Sequence, residues 1–317
     1  MVTFVLTHVV PGNPAAANLG QQAMSDPKAV AAFNQHYGLD KPLPTQYGIY
    51  FWHLLHGDLG QSEQTGDSVA HDLGQAIPAT AELAIFSIVI AVLVGVTLGV
   101  IAAVRRNKLT DHVLRVVSLG GVSMPTFWIA LLALYIFFYK LNWLPGTGRL
   151  DATVTAPPHH TGLYTLDALI AGQWGTFWNA FKHLVLPGCV LAAYNIGLLT
   201  RYTRTSVLEV ISDDFVRAAR AKGLPARTVI IRHVLRAALP GIVTVIGLAF
   251  ANVMTGSVLV ENIFSWPGIG QYAYKAATTL DLPAITGVSL FVALVYIIVN
   301  FLVDVLYGVI DARQRIQ

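Results

Sequence analysis

The chain has 317 residues, of which 55% are apolar and 12% are charged. Soluble domains carry about 25% charged residues, so the composition excludes a conventional water-soluble enzyme. The formal net charge of +3 is too small to indicate nucleic-acid binding, and the single cysteine, Cys189, excludes a disulfide framework and a thiolate metal site. The remaining class is an integral membrane protein.

Five uncharged apolar runs have the length of ~17–25 residues that a helix needs to cross the hydrocarbon core. Their pattern is helical rather than alternating, and a bilayer requires each segment to satisfy its own backbone groups. We therefore predict an all-α integral membrane protein. The runs cover residues 83–104, 116–139, 184–200, 237–260 and 282–303.

A sixth apolar stretch lies at residues 1–10, but as a helix it would reach only ~15 Å. We expect residues 1–10 to be the last part of a first transmembrane helix, because Pro11-Gly12-Asn13-Pro14 is typical of the turn after a complete span. This partial helix brings the total number of transmembrane helices to about six. A re-entrant segment is the alternative. The stretch lacks the basic region and the small-residue cleavage site of a signal peptide.

The distribution of lysine and arginine predicts the orientation. Most of these residues lie in segments 105–115, 201–236 and 313–315, which we assign to the cytoplasm by the positive-inside rule. Residues 11–82 and 140–183 are then extracytoplasmic, and both termini are cytoplasmic if the first helix is complete.

Small residues recur every fourth position in the first of the five runs, which lets another helix approach closely. We expect this stripe to pack within the chain, with a subunit interface as the alternative. Its members are Ala91, Gly95, Gly99 and Ala103.

Polar residues in or beside the spans are candidates for function, because each is costly in hydrocarbon. Asn252, Thr255 and Glu261 are expected to line a polar pathway. Asn300 and Asp304 share a face of the last helix, where structural hydrogen bonding is the better account.

Enzyme signatures are missing from the sequence: there is no phosphate loop, zinc helix, nucleophile elbow or dinucleotide motif. His159 and His160 are adjacent, but no further ligand pattern accompanies them, so we expect no metal. Any uphill transport must take its energy from another chain.

Residues 206–236 are amphipathic. Ser212 or Asp213 suits a helix start, Gly223 suits its end and Pro225 suits the beginning of the next helix. We predict a helix, a sharp turn and a second helix outside the membrane, which would dock in the groove of a partner protein. A basic helix lying on anionic lipid is the alternative. The apolar face consists of Leu208, Ile211, Phe215, Ala218 and Ala219.

This segment resembles the EAA loop of binding-protein-dependent ABC importer permeases, in the form typical of the dipeptide and oligopeptide branch and of the first permease of the pair. Motifs along nearly the whole chain agree. They are Tyr37-Gly38-Leu39-Asp40, Gly57-Asp58-Leu59-Gly60, Ser123-Met124-Pro125-Thr126-Phe127, Asp213-Asp214-Phe215-Val216-Arg217-Ala218-Ala219-Arg220, Val260-Glu261-Asn262-Ile263-Phe264 and Pro267-Gly268-Ile269-Gly270.

The resemblance implies the type I ABC importer permease fold, with residues 83–317 as the transmembrane domain. It implies a second homologous permease, two cytoplasmic ATPase subunits that hold ATP and Mg²⁺, and an extracytoplasmic solute-binding protein. This chain would bind no cofactor and catalyse nothing. The residues that would contact the ATPase are Asp214, Phe215, Ala218, Ala219 and Gly223.

Some features depart from the family or stay open. Arg217 stands where the generic family motif has glutamate. Members also begin with a complete first span, so we expect either an upstream extension of ~15–25 residues, about the length that completes a span, or a truncated first helix. The cargo is left open among dipeptides, oligopeptides, glutathione, nickel chelates and haem. A proton-coupled secondary transporter and a membrane scaffold or receptor subunit are the alternative classes.

Overall fold

A computed structural model describes residues 27–28, 30–31, 35, 41–62 and 64–310. The segment expected to form a partial first helix, residues 1–10, lies outside these residues. From residue 41 on, the described chain is built of helices joined by loops, the longest of which covers residues 141–163. The helices are α1 (Leu43–Leu55), α2 (Val69–Val104), α3 (Leu109–Ser123), α4 (Thr126–Lys140), α5 (Tyr164–Ile170), α6 (Trp174–Val210), α7 (Asp214–Ala221), α8 (Ala226–Met254), α9 (Val258–Ile263), α10 (Ile269–Thr279) and α11 (Leu282–Ile310).

Four of these helices, α2, α6, α8 and α11, are long and apolar enough to cross a membrane. The pair α3 and α4 passes the same test when it is taken as one bent span. The prediction of an all-α membrane protein is confirmed, and the five spans correspond to the five apolar runs of the sequence.

The sequence alone predicted one continuous helix over residues 116–139. The structure instead has two helices in this run. α3 and α4 meet at an angle of 96°, at Met124 and Pro125. A proline disfavours the helical conformation in the residue before it, and Met124 is accordingly extended, with φ −81° and ψ 131°. After the break, Thr126 at the start of α4 lies beside residues of α6, α8 and α9.

Two helix ends also differ from the expected boundaries. α2 begins at Val69, where the Ser68 hydroxyl accepts a hydrogen bond from the His71 amide, so the boundary expected at residue 82 falls inside this helix. α8 ends at Met254 rather than at residue 260. Gly256 follows with φ +104°, a conformation that favours glycine, and the chain turns there into the short helix α9.

The centre of the bundle is the contact between α2 and α6. A Cβ atom at Gly95 would lie 2.9 Å from the Cβ of Leu199, and one at Gly99 would lie 2.6 Å from the Cβ of Thr203. Because real Cβ atoms do not approach so closely, only glycine permits this helix spacing. The stripe of Ala91, Gly95, Gly99 and Ala103 is buried, and at its two glycines it lies against α6 of the same chain.

Candidate coupling helix and translocation cavity

α7 forms the predicted helix between the spans α6 and α8. Asp213 occupies its N-cap position, and the helix begins at Asp214. Gly223 has φ +74°, which explains a glycine at the turn. Pro225 then precedes the start of α8. The helix–turn–helix geometry therefore follows the local signals of the sequence.

One face of α7 is fixed to the rest of the protein. Val216 and Ala219 are buried in an apolar cluster that includes Val207 at the end of α6 and Val229 and Val234 at the start of α8. Because close-packed interiors transmit displacement, a movement of α7 would carry the ends of both spans with it.

The opposite face of α7 is open to a partner. The Asp214 side chain is 92% exposed and pairs with Arg217, and Phe215 is 44% exposed although it is aromatic. Ala218 is also exposed, and a Cβ at Gly223 would meet no atom within 4 Å.

Ala219 differs from the other residues expected to contact an ATPase. It is only 6% exposed, because it faces the apolar cluster rather than the surface. In this structure Ala219 packs α7 on its own chain, and its contact with an ATPase stays a prediction.

A cavity of about 320 Å³ lies where the start of α4, the middle of α6, the end of α8 and the start of α9 meet. Its volume is at the lower end of the range of small-molecule sites, about 300–1,000 Å³. Its described lining contains no charged side chain. The polar lining residues are Thr126, Tyr194, Asn195, Asn252 and Ser257.

Asn252 is the polar residue at the end of α8 in this cavity. Its Oδ1 accepts a hydrogen bond of 2.6 Å from the Tyr296 hydroxyl on α11, which orients the amide. The hydroxyl of Thr255 instead donates to the Asn252 carbonyl at 3.1 Å, and Thr255 is not part of the lining. Of the two residues expected on a pathway at this helix end, the structure places one in the cavity.

Glu261, the third residue expected on a pathway, is fully buried on α9. Its Oε1 accepts a hydrogen bond from the Thr80 hydroxyl at 3.1 Å, and its Oε2 accepts one from the backbone N–H of Gln271 at 3.0 Å. Burial raises the pKa of this carboxyl, and these hydrogen bonds oppose the rise in part. In this structure Glu261 does not line the Asn252 cavity and instead joins α9 to α2 and α10, so its place on a pathway stays a prediction.

Sequence reasoning missed a buried ion pair between Glu82 and Arg149. Their Oε2 and Nη2 atoms are 2.6 Å apart, and Thr165 donates to Oε1 of the same carboxylate. The Arg149 guanidinium also lies 3.5 Å from the centre of the Tyr164 ring. In the sequence, the only sign of this ion pair was the position of Glu82 at the edge of an apolar run. That position does not reveal a partner 67 residues away.

Long apolar helices, a helix–turn–helix whose outer face is open, and a neutral polar cavity define a membrane permease. Residues 95–316 match the family described as binding-protein-dependent transport system inner membrane component, and residues 1–91 match the corresponding N-terminal family. The chain belongs to the family of binding-protein-dependent transport system inner membrane components. The resemblance read from the sequence motifs is confirmed.

Relatives match nearly the whole chain. A probable D,D-dipeptide transport system permease protein, DdpB of Escherichia coli K12, is 42% identical over 99% of this chain and 92% of its own length. The dipeptide transport system permease protein DppB of Alkalihalophilus pseudofirmus is 40% identical over 99% of this chain and 94% of its own length. The di/tripeptide transport system permease protein DppB of Pseudomonas aeruginosa is 41% identical over 100% of this chain and 94% of its own length.

Solved structures show the same fold. A chain of the MetNI methionine ABC transporter, in an inward-facing conformation, aligns with a TM-score of 0.53 and 15% identity. The alignment covers 75% of this chain and 96% of that chain. The chain therefore has the type I importer permease fold.

Proposed function

We propose that this permease carries dipeptides or oligopeptides across the inner membrane, in a complex with a second permease, two ATPases that hold ATP and Mg²⁺, and a solute-binding protein. The names of the relatives support the peptide cargo. The observation that carries the coupling role is the geometry of α7, which has one face packed in the protein and one face open. Because most lysines and arginines lie in segments 105–115, 201–236 and 313–315, we place α7 in the cytoplasm, together with both termini if the first helix is complete.

In this proposal the ATPase binds the exposed face of α7. Closure of the ATPase dimer moves α7, and the buried contacts of Val216 and Ala219 pass this movement to α6 and α8. The spans then turn as rigid bodies and open the pathway on the opposite side. The chain itself hydrolyses no ATP.

The cavity at Asn252 supports a pathway for solutes with amide groups. Its polar side chains are neutral hydroxyls and amides, which donate and accept hydrogen bonds without selecting a charge. A proton-coupled transporter instead needs ionisable groups along its path, and none lines this cavity in the described residues. Uptake that stops on ATP depletion but survives an uncoupler would separate the two mechanisms.

Ala218→Glu tests the coupling role, because it adds bulk and charge to the exposed face of α7. In the reconstituted complex we expect a loss of about 30-fold in peptide-stimulated ATP hydrolysis and in labelled dipeptide uptake, the size of an interface hot spot. Ala218→Ser, which adds only a hydroxyl, serves as the matched control and should retain both activities. Wild-type coupling in the Ala218→Glu complex would contradict the proposal.

Comparison of Ala219→Glu with Ala218→Glu distinguishes residues that pack α7 on its own chain from residues that contact the ATPase. The carboxylate introduced by Ala219→Glu would be buried against Val216 and the start of α8, where an unpaired charge is costly. We expect less folded protein in the membrane for Ala219→Glu, whereas Ala218→Glu should be present at the wild-type level. Equal loss of protein in both variants would show that Ala218 too is a packing residue.

A further inference from the structure

A second cavity of about 670 Å³ lies between the end of α2, the start of α3 and the start of α8. It is a groove with apolar walls, to which Leu98, Ile101, Leu114 and Ile231 contribute. Its polar lining is limited to two arginines and one threonine. It lies apart from the Asn252 cavity and shares none of its residues.

The two arginines of the groove, Arg105 and Arg227, are exposed. Neither has a carboxylate within 4 Å among the described residues. The Nη1 atom of Arg105 is 3.5 Å from the Thr110 hydroxyl, a weak contact that leaves most guanidinium donors free. Free guanidinium groups bind phosphate through paired hydrogen bonds.

The groove crosses the expected boundary between hydrocarbon and water. The apolar run of α2 ends at Val104, and Arg105, Arg106 and Lys108 follow at once. The apolar walls therefore face the acyl chains of one leaflet, while the arginines lie at the level of its headgroups. This is the leaflet that we assign to the cytoplasmic side, where anionic lipids attract basic residues.

We infer that this groove binds an anionic phospholipid. Its phosphate lies between Arg105 and Arg227, and one acyl chain runs along Leu98, Ile101 and Ile231. The pairing of an apolar channel with two unpaired cations at one end matches both parts of such a lipid and neither a soluble anion nor a neutral lipid. Arg227 follows Pro225 in the first turn of α8, so the lipid site adjoins the coupling helix.

Photolabelling of the complete transporter in nanodiscs tests this inference. The nanodiscs contain phosphatidylcholine and a minor fraction of phosphatidylglycerol, and either lipid carries a diazirine on its acyl chain. We expect the phosphatidylglycerol probe to label peptides from residues 98–114 and 227–231. Arg105→Gln with Arg227→Gln should reduce this labelling by at least about tenfold, because each change removes charge-assisted hydrogen bonds to the phosphate, which the arginines outside the groove do not make.

Arg106→Gln with Arg232→Gln is the matched control, since both residues are exposed neighbours that do not line the groove. It should retain the labelling. Ile231→Trp changes an exposed position and fills the groove while it keeps both arginines, so it should also reduce labelling by the acyl-chain probe. Wild-type ATPase activity of each variant in phosphatidylcholine nanodiscs confirms that the complex is folded.

Three results would overturn the inference. Equal labelling by the phosphatidylcholine probe would show ordinary contact with bulk lipid. Equal loss in the groove variant and in the Arg106 and Arg232 control would show a general effect of charge. An unlabelled groove in the wild-type complex would show that the groove holds no lipid.

Discussion

Arg204 on α6 binds Asp111 on α3 through two hydrogen bonds, of 2.7 Å from Nε to Oδ1 and 3.0 Å from Nη2 to Oδ2. The Asp111 side chain is fully buried, and its Oδ2 also accepts a hydrogen bond from the backbone N–H of Asn107 at 3.0 Å. The pair therefore fixes the start of the bent span to the helix that leads into α7.

Asp111→Ala is expected to destabilise the protein by about 3 kcal/mol, because it leaves the Arg204 guanidinium without its partner in a largely buried site. The loss should appear as a lower midpoint of thermal unfolding of the purified protein in detergent. Arg115→Gln is the control. Arg115 lies 3.6 Å from the same carboxylate but is 43% exposed, so its loss should cost less than about 1 kcal/mol. Equal effects of the two changes would contradict this assignment.

Gly99→Ala is expected to cost about 1–3 kcal/mol by overpacking the contact of α2 with α6. The new Cβ would lie 2.6 Å from the Cβ of Thr203 and 2.8 Å from the carbonyl oxygen of Thr200, so the two helices must separate. Gly74→Ala on the same helix meets no atom within 4 Å, and should be neutral or slightly stabilising because alanine favours helix. Chemical denaturation of both variants measures the difference, and an unchanged Gly99→Ala protein would show that the contact is loose.

Asn252→Ala is expected to reduce the rate of dipeptide uptake about fivefold, the equivalent of one hydrogen bond. The thermal stability should change little, because Asn252 is exposed. Thr255→Ala is the matched control, since its hydroxyl contacts only the backbone of the same helix end and it does not line the cavity. Equal uptake by the two variants would argue against solute contact at Asn252.

Glu261 predicts a pH dependence of stability. α9 lies outside the candidate spans, and burial raises the pKa of this carboxyl above its ordinary value of 4.5. The folded protein thus binds this proton more tightly than the unfolded chain, so the contribution to stability is full below pH 4.5 and is lost as pH rises through the raised pKa.

Unfolding midpoints between pH 4.5 and 8 measure this effect. They should fall more steeply with rising pH in the wild type than in Glu261→Gln, which cannot ionise. Glu209→Gln removes an exposed carboxylate and should follow the wild-type curve. Parallel curves for the wild type and Glu261→Gln would show that the buried carboxyl does not titrate in this range.

The position of the helix break illustrates a limit of the sequence signals. Pro125 was visible in the sequence, yet the apolar run continued across it, and other prolines, such as Pro187 and Pro240, lie inside continuous helices. Whether a proline bends a span by 96° or is absorbed depends on what packs against it. That packing comes from helices distant in the chain.

The sequence by itself determined the class of the protein, the existence of its five described spans and the helix α7, for which we propose a coupling role. These features depend on stretches of about 20 residues or fewer, because hydrocarbon thickness and helix caps act locally. Tertiary structure decided that Ala219 and Glu261 are buried, that Asn252 lines a cavity, and that Arg149 pairs with Glu82. Such outcomes depend on which helix faces meet, and no periodicity within a single segment records the identity of its neighbour.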